Sequence, residues 1–123
     1  MYPCVCCGHL TIPEQPGSYF ICPICFWEDD VSQLRWPTMS GGANDVSLIE
    51  GQANFREFGS CKLRMTAHVR PPTDVEMVEP GWRPLDPRRD RFEAWGVSPV
   101  VDWPDYDWTV LYWWRPTYWR LDA

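Results

Sequence analysis

Apolar and polar positions along the chain outline a few short elements separated by proline and glycine. Two short apolar runs, at residues 9–12 and 18–21, flank a segment that contains Pro13, Pro16 and Gly17. Runs of this length around turn-forming residues are typical of two short strands joined by a turn. The pattern therefore predicts a small ribbon-like lobe at the N-terminal end of the chain.

A longer amphipathic segment follows residues 34–44, which we interpret as a loop because they are rich in proline and glycine. Ser47, with Glu50 three residues later, forms a capping-box pattern. Gly59 stands where a left-handed residue commonly ends a helix. The interior Gly51 weakens helix propensity by about 1 kcal/mol, but apolar residues recur at helical spacing between the two caps. The sequence predicts a central helix here.

The C-terminal half is interrupted by prolines and is rich in aromatic residues. Residues 88–95, which precede Gly96, predict a second short helix. Residues 97–121 carry five of the nine tryptophans among other β-favouring residues, and they predict one or two strands interrupted by prolines. A tail of this composition suits either a packed core or an interface, and the sequence leaves both open.

Composition and charge narrow the class of protein. A hydrophobic fraction of 45% and nine tryptophans indicate a folded chain rather than a disordered one. No apolar run approaches the roughly 18 residues of a membrane span, and the first residues lack the features of a signal peptide, so we expect a soluble cytoplasmic protein without a membrane partner. The net charge of −6 opposes binding to nucleic acid and favours basic partners.

The charge is unevenly distributed along the chain. Residues 1–61 contain two arginines and seven acids, net −5, whereas residues 62–123 contain nine basic and ten acidic residues, net −1. The most basic stretch is diluted by acidic neighbours, and we interpret it as a set of solvated ion pairs. Its arginines are Arg83, Arg88, Arg89 and Arg91.

Five of the six cysteines lie within the first 25 residues, and four of them form two Cys-x-x-Cys pairs, Cys4 with Cys7 and Cys22 with Cys25. Two residues between thiolates let both sulfurs converge on one ion at about 2.3 Å. Fourteen residues separate the pairs, which is the length of a hairpin that returns the second pair to the first. We expect a closed four-thiolate site with Zn²⁺ as a structural cofactor.

The same cysteines also allow three alternatives to this zinc site. Disulfides are disfavoured because thiols stay reduced in the absence of export. Iron in the same thiolate cage, as in rubredoxin-type sites, is harder to distinguish from zinc. Cys6 could replace Cys7 as a ligand. We expect Cys61, His9 and His68 to remain outside the site.

Residues 2–8, 21–30, 41–44 and 47–59 together resemble the bacterial cysteine-rich CPCC family. The resemblance extends from residue 2 to about residue 72. Val5 departs from the family pattern, because it stands where the family's name has proline, but it leaves the ligands intact. The resemblance implies a small zinc-binding protein whose biochemical role is poorly defined.

Other residues of this region also have physical interpretations. Trp27 directly follows the second cysteine pair, and we expect it to cover the metal. The acidic residues 28–30 are expected to cap a following turn or helix. Gly41 and Gly42 are expected to supply backbone angles that other residues avoid.

These elements predict an α+β fold with a zinc-ribbon-like N-terminal lobe, a central helix and a C-terminal aromatic-rich β segment. We divide the chain into a zinc-ribbon-like lobe at residues 1–33, a loop and helix at residues 34–72, and a Pro/Trp-rich extension packed on them at residues 73–123. A length of 123 residues suits a single compact unit.

The sequence contains no recognisable catalytic constellation. A closed four-thiolate site leaves no position for a catalytic water, so we expect that the protein is not an enzyme. We expect a zinc-stapled protein-interaction module, for example an immunity or antitoxin-like inhibitor of a basic toxin. A nucleic-acid-binding zinc ribbon and a rubredoxin-like iron electron carrier are the alternatives. The sequence does not identify the partner or the oligomeric state.

Overall fold

The computed structural model describes residues 1–96, 102–104 and 107–121. Its regular elements are short and are connected by turns. In chain order they are β1 (Tyr2–Pro3), β2 (Leu10–Ile12), α1 (Val31–Arg35), α2 (Leu48–Phe58), and two 3-10 helices, Leu63–His68 and Trp108–Leu111. Strands β1 and β2 form one antiparallel two-stranded sheet. This mixture of elements agrees with the predicted α+β class in broad terms.

The predicted N-terminal hairpin is only partly correct. The run at residues 9–12 does contain a strand, β2, but it pairs with β1, so that Tyr2 lies opposite Ile12. Residues 18–21 form a single isolated bridge, between Ile21 and Glu28. Tyr19 has a φ of 63°, in the left-handed region, which interrupts an extended strand. The prediction of a strand at 18–21 is therefore wrong.

The sequence did not predict helix α1, which begins at Val31 and extends two residues into the segment 34–44 that was expected to be a loop. Asp30 caps it, because its Oδ1 accepts hydrogen bonds from the backbone N–H groups of Ser32 (2.8 Å) and Gln33 (3.4 Å). Its Oδ2 accepts a third bond from the backbone of Ala43, at 2.9 Å. The capping role expected for the acidic run is confirmed at Asp30, which also ties the following turn to the helix.

The central helix is confirmed as α2, with both of its predicted caps. Ser47 Oγ accepts from the backbone N–H of Glu50 at 3.2 Å, and Glu50 Oε1 accepts from that of Ser47 at 3.3 Å. Gly59 ends the helix in the left-handed conformation, with a φ of 86°. A Cβ atom on Gly51 would lie 3.1 Å from the Trp27 ring, so the interior glycine lets the helix approach the core closely.

The predicted helix at residues 88–95 is wrong. A turn at residues 87–89 replaces it. Both terminal nitrogens of Arg83 donate to the Asp90 carboxylate, at 2.8 and 2.6 Å, and the same carboxylate accepts from the backbone of Asp86. These bonds draw the chain into a compact turn that is incompatible with a continuous helix.

The tail also differs from its prediction. Residues 102–104 and 107–121 contain a 3-10 helix and turns but no strand, so the predicted β segment is wrong for these residues. The remainder of that segment, residues 97–101 and 105–106, lies outside the described residues. Asp107 caps the 3-10 helix through its carboxylate, which accepts from the backbone of Thr109 at 3.0 Å. Local capping therefore competes successfully with β propensity here.

Much of the described tail belongs to the core. Tyr112 and Trp113 are buried together with Trp27 and Leu48. Arg35 is also buried, and its guanidinium lies 4.6–4.9 Å from the centres of three tryptophan rings while Nε donates to Glu93 at 2.8 Å. The three rings belong to Trp36, Trp103 and Trp119.

Within the described ranges, no helix combines the length and the apolar character needed to cross a bilayer. The longest of these helices, α2, has 11 residues.

Candidate metal centre

Two turns of nearly identical backbone geometry hold the four predicted ligands. We call them the first knuckle (residues 4–8) and the second knuckle (residues 22–26). In each, the residue after the second cysteine donates its backbone N–H to the carbonyl of the first cysteine, at 2.6 Å from Gly8 and 2.8 Å from Phe26. That donor residue has a positive φ in both, 82° at Gly8 and 72° at Phe26.

A second pair of backbone bonds completes the resemblance between the knuckles. Cys4 donates its N–H to the carbonyl of His9 at 2.8 Å, and Cys22 donates to the carbonyl of Trp27 at 2.9 Å. Each knuckle is thus closed by reciprocal bonds between its first cysteine and the residues just past its second cysteine. The spacing of each Cys-x-x-Cys pair fixes this turn locally.

The two knuckles face each other and bring four sulfur atoms together. The Sγ atoms of Cys4, Cys7, Cys22 and Cys25 all lie within 4.8 Å of one another, and all four residues are buried. Across the knuckles, the Cys4 and Cys25 sulfurs are 3.5 Å apart and the Cys7 and Cys22 sulfurs are 3.8 Å apart. These separations far exceed the roughly 2.05 Å of a disulfide bond, and all six cysteines are free thiols.

The two sulfur–sulfur distances across the knuckles are close to those around a tetrahedral metal ion. Metal–sulfur bonds of about 2.3 Å give tetrahedral sulfur–sulfur edges of about 3.8 Å, and the separations across the knuckles are 3.5 and 3.8 Å. Four buried thiols with these spacings form a donor set typical of zinc or iron. The site is therefore compatible with binding one metal ion through these cysteines.

The electrostatics of the cluster favour a bound cation. Burial raises the pKa of the Cys4 and Cys25 thiols well above that of an ordinary cysteine, and the neighbouring Cys22 sulfur raises both further. Cys22 differs, because hydrogen bonds from the Cys25, Cys4 and Cys7 thiols lower its pKa. One thiolate is thus stabilised at the expense of the others. Full deprotonation of all four requires a positive charge at their centre.

Thr11 gives the second knuckle a hydrogen bond from outside the knuckle itself. Its Oγ1 donates to the Cys22 sulfur at 3.2 Å, and it is carried by strand β2. A hydroxyl donor to a metal-binding sulfur lowers the electron density on that sulfur and orients it. Sequence reasoning missed Thr11, since nothing in the local pattern places a strand residue beside a cysteine eleven positions away.

Trp82 covers the first knuckle from the C-terminal part of the chain. A Cβ atom on Gly8 would lie 2.5 Å from the Trp82 ring, which is closer than such atoms pack. The carbonyl of Gly8 also accepts a backbone hydrogen bond from Glu79, at 2.9 Å. The small residue at position 8 was visible in the sequence, but its partner lies beyond the region of family resemblance.

The remaining cysteines and histidines lie outside the four-sulfur set. Cys6 is buried near α2, where a Cβ on Gly51 would approach its sulfur to 3.5 Å. Burial raises the pKa of the Cys61 thiol to about 12. His9 Nδ1 donates to the carbonyl of Glu76 at 2.6 Å, and the His68 ring lies 5.8 Å from that of Phe26. The described geometry groups Cys7, rather than Cys6, with the other three sulfurs.

Trp27 is almost completely buried in the hydrophobic core. The Trp27 ring and the Cys6 sulfur both lie beside Gly51 of α2, where a Cβ atom would come within 3.1 and 3.5 Å of them. Asn44 holds the chain that follows Trp27, because it accepts from the backbone N–H of Glu28 and donates to its carbonyl, at 2.9 and 2.8 Å. The loop at residues 41–44 is thus hydrogen-bonded to the chain just after the second knuckle.

Comparisons with known proteins identify the family of the chain. A search of curated proteins found no significant match to the chain. The model of one protein family, described as cysteine-rich CPCC, matches residues 2–76, which is more than half of the chain. The match includes both knuckles, α1 and α2. The chain therefore belongs to the cysteine-rich CPCC family.

Proposed function

We propose that Cys4, Cys7, Cys22 and Cys25 bind one Zn²⁺ as a structural staple, and that the protein acts by binding another protein. The observation that carries the metal assignment is the convergence of four buried sulfurs within 4.8 Å of one another. Strands β1 and β2 contain only five residues together, so metal binding supplies folding free energy that so short a sheet lacks.

A structural role for the metal follows from its ligands. Four protein thiolates fill a tetrahedral coordination shell, and a catalytic zinc needs an open position for water or substrate. We therefore propose that the centre is not catalytic. With zinc bound, the four thiolates and the ion add −2 to the −5 of residues 1–61, for a total of −7.

A cluster of exposed apolar side chains lies between the two knuckles in the chain. We call Tyr19, Phe20 and Ile21 the aromatic tip; 59%, 44% and 46% of their surfaces are exposed. Apolar side chains at the surface have little favourable solvation to give up, and burying them against a partner favours association. The tip is the part of the lobe that best suits an interface.

Asp29 holds the aromatic tip in one conformation. Its Oδ2 accepts from the backbone of Gly17 (3.0 Å) and from both the backbone and the hydroxyl of Ser18 (2.8 and 2.7 Å). Its backbone also exchanges hydrogen bonds with Tyr19 and Phe20, at 3.1 and 2.9 Å. Tyr19 is thereby kept at a positive φ, and strain of this kind is often found at functional sites. A fixed tip loses little conformational entropy on binding.

The charge of the lobe supports a basic protein as the partner. The aromatic tip belongs to the half of the chain with a net charge of −5, and an acidic surface raises the association rate with a basic partner. An immunity or antitoxin-like inhibitor of a basic toxin is the specific form of this proposal. The acidic surface would cover the toxin while the tip enters an apolar pocket.

Metal analysis of the purified protein tests the zinc assignment. We expect one zinc per chain and a colourless solution. One iron per chain, with the visible absorption of a ferric four-thiolate centre, would overturn the assignment and support an electron carrier instead. Absence of any stoichiometric metal in protein purified without chelator would overturn both.

Affinity capture with matched variants tests the interaction. The variant Tyr19→Asn with Phe20→Ser removes both rings, and asparagine tolerates the left-handed backbone at position 19. The control variant, Leu63→Ser, removes an apolar side chain of similar exposure elsewhere. We expect the wild type and the control to retain a basic protein that the tip variant loses, with binding weakened by salt. Equal capture by all three proteins, or capture that nuclease treatment abolishes, would overturn the proposal.

A further inference from the structure

A pocket beside the aromatic tip is lined by Tyr2 and by the loop at residues 13–18. It has a volume of about 480 Å³, and the loop continues directly into Tyr19, the first residue of the tip. We propose that this pocket binds an arginine side chain of the basic partner while the tip contacts an apolar surface next to it. The inference rests on the proposed function, because it names the chemistry by which that partner is recognised.

The pocket lies in the part of the chain whose charge is most one-sided. The first 34 residues contain four acids and no lysine or arginine. One of these acids, Glu14, lines the pocket and is exposed. Within the described part of the chain, its carboxylate makes no hydrogen bond and no ion pair. The Glu14 carboxylate is therefore available to a cation from a partner, and its negative charge is not compensated within the lobe.

The hydrogen-bonding groups around the pocket are mostly acceptors. Both prolines of the loop lack a backbone N–H. The backbone N–H groups of Gly17 and Ser18 and the Ser18 hydroxyl already donate to Asp29 Oδ2, at 2.7–3.0 Å. The carbonyls of residues 13–16 accept no hydrogen bond from any other described residue. This lining suits a ligand that only donates, and a guanidinium has five N–H donors and no acceptor.

The apolar part of the lining favours arginine over lysine. It includes Tyr2, which is half-buried, and the rings of Pro13 and Pro16. A guanidinium is planar and weakly hydrated and stacks on aromatic faces, whereas an ammonium is compact and strongly hydrated. A volume of about 480 Å³ corresponds to roughly 16 water molecules at about 30 Å³ each. The pocket is therefore large enough for the whole arginine side chain.

Contacts with the rest of the chain hold the loop in position. Gly17 has a φ of 98°, and a Cβ atom there would lie 2.8 Å from the Trp108 ring. Trp108 and the buried Asp29 thus fix the same part of the loop. A pocket that is formed before binding loses little conformational entropy when it is occupied. Trp108 lies outside residues 2–76 that the family model matches, so the pocket also depends on the C-terminal part of this chain.

An NMR titration of the purified protein tests the pocket without requiring the partner. The probe is N-acetyl-arginine methylamide, and the matched probes are its lysine and citrulline counterparts; citrulline keeps the shape of arginine but is uncharged. We expect the arginine probe to shift the backbone amide signals of residues 14–18 saturably, and the lysine probe to bind about threefold more weakly. Equal binding of the lysine probe would overturn the choice of arginine, and equal binding of the citrulline probe would overturn the role of charge.

A matched pair of variants assigns the binding to the pocket. Glu14→Gln removes the carboxylate and keeps the size of the side chain. Glu57→Gln is the control, because Glu57 is exposed on α2 and does not line the pocket. We expect Glu14→Gln to weaken binding of the arginine probe about fivefold and Glu57→Gln to leave it unchanged. Equal weakening by both variants would show general attraction to an acidic protein and would overturn the pocket.

Affinity capture with the same variants separates this proposal from the proposed function. We expect Glu14→Gln to retain less of the basic protein than Glu57→Gln does. Equal capture by these two, together with loss of capture by the tip variant, would overturn the arginine pocket and leave the proposed function intact. If the wild type captures no basic protein, the proposed function fails, and the titration still decides whether the pocket binds arginine.

Discussion

The first and second knuckles share a backbone but differ in the residue that completes it. Gly8 completes the first and Phe26 the second, both at positive φ. The Trp82 ring lies directly against Gly8, whereas the Phe26 side chain is half-buried and has room beside His68. Packing against Trp82 therefore requires glycine at position 8, and the positive φ adds to this preference. A positive φ alone does not require glycine, since phenylalanine occupies the equivalent position.

This difference shows that the two knuckles are supported from different sides. Glu79 donates its backbone N–H to the carbonyl of Gly8 in the first knuckle, and Leu10, just after that knuckle, donates its backbone N–H to the carbonyl of Met77. The second knuckle receives backbone bonds from Cys61 to Cys25, at 2.7 Å, and from Arg70 to Pro23. The two knuckles thus have the same backbone geometry but are contacted by different segments of the chain. Substitutions can separate the contribution of the ligands from that of these contacts.

The largest expected effect comes from the ligands, where the knuckles should behave alike. Replacing Cys4 or Cys22 by serine should abolish metal binding and unfold the lobe, because metal binding contributes on the order of 10 kcal/mol in small thiolate sites. Metal content and circular dichroism measure the outcome. Cys61→Ala is the control, since Cys61 is buried outside the four-sulfur set, and it should retain the metal.

Cys6 and Cys7 provide a sharper form of the same test. Cys6→Ala should keep one metal per chain, and Cys7→Ala should lose it, because only Cys7 lies in the four-sulfur set. The opposite result would show that Cys6 is the ligand.

Gly8→Ala should produce the next largest effect. The added methyl group meets the Trp82 ring at 2.5 Å and also carries the cost of positive φ, for a combined destabilisation of about 3 kcal/mol. Chemical denaturation measures this loss. Combining Gly8→Ala with Trp82→Leu should recover part of it, and a purely additive double variant would show that packing against Trp82 is not the cause.

Thr11→Val should have an intermediate effect on the second knuckle. The change keeps the shape of the side chain but removes the donor to the Cys22 sulfur, a loss of about 1 kcal/mol. The thiolate charge-transfer bands of the cobalt-substituted protein should also shift. Thr11→Ser retains the hydroxyl and should leave the spectrum close to that of wild type; matching shifts in both variants would contradict the proposed bond.

Phe26→Gly should have a small effect, of less than about 1 kcal/mol in either direction. Glycine relieves the unfavourable backbone angle at position 26 but increases the entropy of the unfolded chain and loses the ring contact. Thermal unfolding of Phe26→Gly and of Gly8→Ala, measured under the same conditions, compares the change in stability at the equivalent positions of the two knuckles. A loss as large as that of Gly8→Ala would mean that the Phe26 ring is a major support of the second knuckle.

The smallest expected effect concerns the titration of Glu76. The segment around it contacts the chain near both knuckles, because Arg70 donates its backbone N–H to Pro23 and the Glu76 carbonyl accepts from the His9 ring. The Arg70 guanidinium, which donates to both Glu76 carboxylate oxygens at 2.7 and 2.9 Å, lowers the pKa of Glu76 to about 2. Because the pKa is depressed on folding, the favourable contribution is present above the unfolded value of about 4.3 and is lost as the pH falls toward about 2.

Carbon-detected NMR measures this titration over the range in which the protein stays folded. Glu76 should remain ionised at about pH 4, where ordinary glutamates are half protonated. Arg70→Gln should return its pKa to the ordinary range. An ordinary pKa in the wild-type protein would show that the Arg70–Glu76 pair does not persist in solution.

Features set by local chemistry could be predicted from the sequence. The caps of α2 at Ser47 and Gly59 are such features, because each depends on residues within one helical turn. The meeting of the two Cys-x-x-Cys pairs was also anticipated, since each pair fixes its own turn. These signals need no knowledge of distant parts of the chain.

Features set by distant contacts could not be predicted in this way. The strand expected at 18–21 is displaced because Asp29 holds the backbone around Ser18. The strands expected in the tail are replaced, in its described part, by turns around the buried Tyr112 and Trp113. In both places the residue types suit a strand, and packing or a distant carboxylate decides otherwise.

Arg35 illustrates how ionic strength would act unequally on this molecule. Surface pairs such as Arg64 with Asp45 are exposed on both sides and weaken as counterions screen them. The Arg35 guanidinium has no exposed side-chain surface and is enclosed by indole rings, so mobile ions cannot approach it. In concentrated brine, the attachment of α1 to the chain around Glu93 and Trp103 should persist after the surface pairs have separated.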